Sequence, residues 1–130
     1  MAMLGKGGHR FPPLASEYES RFVFCRECDP LPAGIPGRII ETPGHTHCSI
    51  SLLLDEGTLL CGDGATNGFP SHRTIIWAED LDLFTLSWEK MIKLSPRLIC
   101  PGHGRPFPVG DLAKYLPDLS EKRLYPLLSR

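Results

Sequence analysis

Three short segments hold the side chains best suited to chemistry: Thr42-Pro43-Gly44-His45-Thr46, Cys61-Gly62-Asp63 and Cys100-Pro101-Gly102-His103-Gly104. Each follows an apolar run and sets glycine beside an imidazole or a carboxylate. Such a sequence places a ligand on a tight turn at a strand end, because glycine admits backbone angles and close approaches that other residues resist. Imidazole and carboxylate together suit Zn²⁺, Mn²⁺ or Fe. Taken singly, each segment also reads as a plain turn with an exposed side chain; the ordered set of three is what points to metal.

Other reactive residues carry less. His47, two residues after His45, admits two readings, a further ligand or an imidazole turned away. Cys48 beside it reads as a small turn thiol, while Cys61 and Cys100 sit in apolar runs and read as core. Cys25 and Cys28 have the spacing of half a structural zinc site, but no second pair matches them, and Pro30 and Pro32 follow where a redox motif would open a helix. With five cysteines, an odd number and no even framework, reduced thiols are expected.

The elements that must position these residues are legible from Arg38 onward. Arg38 to Glu41 reads as a strand, and Ser49 to Leu54 with Thr58 to Cys61 reads as a hairpin about the turn Asp55-Glu56-Gly57. Residues 63 to 79 read as loop. A helix is expected from Asp80 or Asp82 to Leu94, with Phe84, Trp88, Met91 and Ile92 on one face and Ser95-Pro96 as its stop. Arg97 to Cys100 reads as a strand running into the Pro-Gly-His-Gly turn, and Asp111 can cap a last helical segment that Pro117 and Pro126 should interrupt. Before Arg38 the chain is rich in glycine and proline, with only Phe22, Val23 and Phe24 resembling a strand. The expectation is one α/β domain over 1–130, divided into a loop-rich 1–37, a core 38–107 and a helical 108–130.

The strands 50–54 and 59–61 are apolar on both faces, so both faces want cover. The helices can cover one; the other is expected to meet a partner, most simply another copy of the chain. Fourteen basic against fifteen acidic residues, a formal net charge of −1, offer no electrostatic footprint for nucleic acid or an anionic membrane. No run approaches the roughly 20 apolar residues of a membrane span, and Met1 to Arg10 lacks a secretory layout, so a cytoplasmic protein is expected.

The order strand, Thr-Pro-Gly-His-Thr, hairpin, Gly-Asp, helix, strand, Pro-Gly-His-Gly resembles the C-terminal half of the metallo-β-lactamase superfamily over roughly residues 38 to 107. The resemblance implies half, or a truncated form, of a four-layer αββα sandwich, with His45 on a first metal, Asp63 bridging two and His103 on the second. The loop after Asp63 approaches substrate in relatives, which makes His72 and Trp77 candidate contacts to a small-molecule substrate. The family's first motif, His-x-His-x-Asp-His, is absent: His9 is the only histidine before Gly44. Two functions follow as expectations. One is a hydrolase-related protein with a partial zinc site and little catalysis alone, completed by a separate N-terminal half. The other is a non-catalytic assembly module that uses its sheet face for oligomerisation.

Overall fold

The structure, a computed structural model, describes residues 16–19, 21, 23–68 and 77–121. Its elements are α1 (Ser16–Glu19), a 3-10 turn (Pro32–Gly34), β1 (Gly37–Glu41), β2 (Ile50–Leu54), β3 (Thr58–Asn67), α2 (Leu81–Leu94), β4 (Leu98–Gly104) and α3 (Gly110–Glu121). The strands form one sheet in the order β1-β2-β3-β4. The first two pairings are antiparallel and the last, across the α2 crossover, is parallel.

Register sorts the side chains onto two faces. Pairing of Ile40 with Ser51, Leu53 with Leu59 and Leu59 with Ile99 puts these on the helix side, where α2 and α3 lie. There Ile40, Leu59, Ile99, Phe84, Trp88, Met91 and Leu112 are buried in one apolar cluster. Thr42 and Ser51, also buried, satisfy each other's hydroxyls at 2.7 Å. The opposite face carries the row Ile39, Leu52, Leu60, Cys100. Leu31 Cδ1 lies against Gly37, two residues before Ile39 on this face, and Leu31 and Ile39 are both buried, but Leu60 is 38% and Ile50 40% exposed. The chain before β1 thus supplies some of the cover that its glycine and proline content argued against.

The helix α2 begins and ends as expected. Asp80 accepts the Leu83 N–H at 2.9 Å as its N-cap, and Ser95 takes a left-handed conformation (φ 52°) before Pro96. Four expectations need correction. β3 runs on to Asn67 and β4 through His103 to Gly104, because the two glycine-rich stretches pair with each other in parallel instead of turning away. Pro117 lies inside α3 without ending it. The break costs about 3 kcal/mol, and burial of Leu112 and Leu119 at about 2 kcal/mol each offsets it. Asp111 sits in the first turn rather than capping it. Val23 and Phe24 form no strand and are 81% and 95% exposed, and Phe22 and Pro126 lie outside the described residues.

Candidate metal centre

One turn of α2 fixes both ends of the site. Ser87 Oγ donates to Pro43 O at 2.6 Å, immediately before Gly44-His45, and the buried Trp88 Nε1 donates to Gly64 O at 2.8 Å, immediately after Asp63. Gly44 makes this docking possible: its φ is +135°, and a Cβ there would stand 2.4 Å from the Phe84 backbone. The turn also closes on itself. Gly44 N–H donates to Thr46 O at 3.0 Å, and Ser49 Oγ accepts from Thr46 N–H at 3.1 Å.

Asp63 owes its direction to an irregular stretch of β3. Between Gly62 and Thr66 this strand takes four steps where β4 takes two, from Pro101 to His103. The extra length arches out of the ladder and re-aims the carboxylate toward the strand end. Gly102 keeps the space beside it clear, since a Cβ there would be 3.1 Å from Asp63 Oδ1.

The carboxylate then lies between two imidazoles. His45 Nε2 is 3.5 Å from Asp63 Oδ2, and His103 Nε2 is 3.4 Å from Oδ1. Both separations exceed the usual N–H···O range. They match instead the edge of a Zn²⁺ coordination tetrahedron, about 3.4 Å for bonds near 2.05 Å. His45 is also held in the form a metal needs. Its Nδ1 lies 3.0 Å from Trp77 O, and a carbonyl can only accept, so Nδ1 is the donor there, which in the neutral imidazole leaves the Nε2 lone pair toward Asp63. The donor set therefore fits a metal. Among the described residues no three His, Cys, Asp or Glu side chains gather around a single point; the arrangement is two pairs that share one carboxylate. Exposure rises along it, from 23% for the His45 side chain to 75% for His103.

The remaining candidates stand apart. His47 turns away to Glu79, with Nδ1 2.7 Å from Oε2, and its side chain is 68% exposed. The same oxygen accepts the His47 backbone N–H at 2.8 Å, and these two contacts with His47 hold the Glu79 carboxyl below its ordinary value. His72 lies outside the described residues. Trp77 meets His45 edge-on, with ring centroids 5.0 Å apart. Cys25, Cys28 and Cys48 are exposed, and Cys25, His47 and Cys48 share the lining of a cavity of about 260 Å³. The supporting roles of Trp77 O, Glu79 and Ser87 went unread in the sequence. A backbone acceptor carries no residue-type signal, and Glu79 reads as one more acid before a helix.

No protein-family model matches the chain. A β-lactamase-like protein 2 homolog of Drosophila melanogaster is 36% identical over 81 residues, 61% of this chain and 26% of that protein. A metallo-β-lactamase family protein of Thermus thermophilus superposes with a TM-score of 0.57 and 27% identity, over 74% of this chain and 33% of its own. A metallo-β-lactamase from Pontibacter korlensis, only 16% identical, gives 0.59 over 76% and 48%. The chain thus spans about a quarter of the curated relative and between a third and a half of these solved structures. These matches show that the chain has the metallo-β-lactamase fold and is similar in sequence to part of a β-lactamase-like protein.

Proposed function

We propose that this chain contributes His45, Asp63 and His103 to a metal-dependent hydrolytic centre that needs further ligands from elsewhere to work. The observation that supports this is the Asp63 carboxylate set between two imidazole nitrogens at 3.5 and 3.4 Å. Bound there, a metal would supply an acidified water as nucleophile at neutral pH. Each half-site offers two protein ligands, whereas a catalytic zinc is usually held by about three with a position open for water. Zn²⁺ suits the donors best, with Mn²⁺ or Fe as alternatives, and a small ester, thioester or lactam is the substrate class we would try first.

The test is a Zn²⁺ titration by calorimetry of wild type and His103→Ala, with turnover measured on a panel of those substrates. Expected are weak binding by wild type, roughly tenfold weaker binding by the variant, and lower affinity in acid, where protonated imidazole cannot ligate. Turnover should be negligible for this chain alone and should rise when a chain bearing His-x-His-x-Asp-His is supplied. Equal zinc binding by both proteins would remove the turn histidines from the site. Robust turnover by this chain alone would show that two ligands per half-site is an undercount.

A second reading, an assembly module, draws on the exposed apolar part of the far sheet face around Leu60 and Ile50. A second copy of the chain is the simplest cover for it. The two readings are compatible, since association could also bring in missing ligands.

A further inference from the structure

Residues 77–80, just before α2, meet the turn that carries His45 through backbone contacts. Glu79 N–H donates to His45 O and Asp80 N–H to Gly44 O, both at 3.1 Å, while Trp77 O accepts from His45 Nδ1 at 3.0 Å. These backbone contacts form a strap, residues 77–80, lying along Gly44-His45. A backbone strap keeps its place only if something anchors it. The Glu79 carboxylate does so: Oε2 takes both the His47 backbone N–H at 2.8 Å and the ring N–H at 2.7 Å. Two hydrogen bonds from one residue to one charged oxygen set rotation as well as distance. Glu79 therefore ties the far side of the turn to the strap whose near side orients His45.

We propose that Glu79 is a positioning residue for His45: by clamping the 44–47 turn to the 77–80 strap it keeps the Nδ1 proton on Trp77 O and the Nε2 lone pair toward Asp63. This rests on the reading of His45 as a metal ligand, although the effect on the imidazole is a property of the metal-free protein. Glu79 touches neither Asp63 nor His103 in any of these contacts, and its influence passes through the turn. Outer partners that orient a ligating histidine typically govern metal affinity by 10- to 100-fold.

The full chain with ¹⁵N-labelled histidine answers the question in two measurements. In the metal-free protein the His45 imidazole shifts of wild type should report a single Nδ1–H tautomer. In Glu79→Ala they should move toward a mixture of the two, with faster exchange of the Nδ1 proton. Zn²⁺ affinity should fall about tenfold in Glu79→Ala. In Glu79→Gln, whose amide oxygen still accepts from the His47 backbone, it should stay within about threefold of wild type. If Glu79→Ala loses its fold by circular dichroism, Glu79→Asp replaces it, with a carboxylate one methylene too short to keep both contacts and an expected intermediate shift. Wild-type tautomer and wild-type affinity in the alanine variant, or in the aspartate variant standing in for it, would overturn the proposal. Failure of wild type to bind zinc, or undiminished binding by His103→Ala, would instead count against the metal reading, while the tautomer measurement still decides the role of Glu79.

Discussion

Asp63 offers one oxygen to each of two imidazoles, so losing it should damage both half-sites at once, whereas losing His103 should damage one. Close by, Cys61 shows how sharply the environment changes over two residues. Burial pushes its thiol up to about 12, and outweighs the backbone hydrogen bonds from Ala65 and Cys61 that act the other way. A thiol in that state is not a nucleophile at neutral pH. Iodoacetamide at pH 8 should therefore label the exposed Cys25, Cys28 and Cys48 of the native protein within minutes and reach Cys61 only after denaturation. Peptide mass spectrometry reads this directly, and labelling of Cys61 at the rate of the exposed thiols would contradict its assignment to the core.

Among the elements, α2 serves as the jig on which the site is assembled, since Ser87 holds the His45 turn and Trp88 holds the Asp63 arch. Its seat depends on Gly44. Gly44→Ala would drive a methyl group to 2.4 Å from the Phe84 backbone at a φ that alanine resists, so a loss of stability of about 2–4 kcal/mol is expected. Urea denaturation with an unchanged slope would measure it; a loss under about 1 kcal/mol would mean that α2 shifts freely against the turn. The helix and the hairpin were readable in advance because apolar spacing, the Asp80 cap and the Asp55-Glu56-Gly57 turn all act locally. The expectation that His45, Asp63 and His103 come together rested on the family resemblance that the three glycine-bearing segments carry, and not on their spacing alone. The extensions of β3 and β4 were not, since Gly62 to Asn67 and Pro101 to Gly104 have little strand propensity and gain it only by pairing with each other. Val23 and Phe24 erred the other way, strand-like in type but with no ladder to join.

At the scale of the whole molecule the two faces of the sheet remain unequal. The helix side is closed, with Leu59, Ile99 and Trp88 each 0% exposed, while Leu60 and Ile50 on the other side are about two-fifths open. Self-association at micromolar concentration is therefore the expected behaviour in sedimentation velocity, and Leu60→Asp, placed in the middle of the Leu52, Leu60, Cys100 row, should shift the population toward monomer. A compact monomer that binds no hydrophobic dye would rule this out. Among the described residues no helix is long and apolar enough to cross a membrane.

The parallel pairing of β3 with β4 has a consequence in time. Hairpins such as β1-β2 and β2-β3 close over short loops, but β3 can meet β4 only after the intervening segment and α2 have been laid down and the long loop has been closed. Asp63 and His103 sit on opposite sides of that closure, so they come within 3.4 Å only when the slowest contact of the sheet is made. In stopped-flow refolding, a fluorescent zinc chelator should register the part of the metal uptake that depends on His103, read as the difference from His103→Ala, in the last kinetic phase, after the hairpin and α2 signals have levelled off.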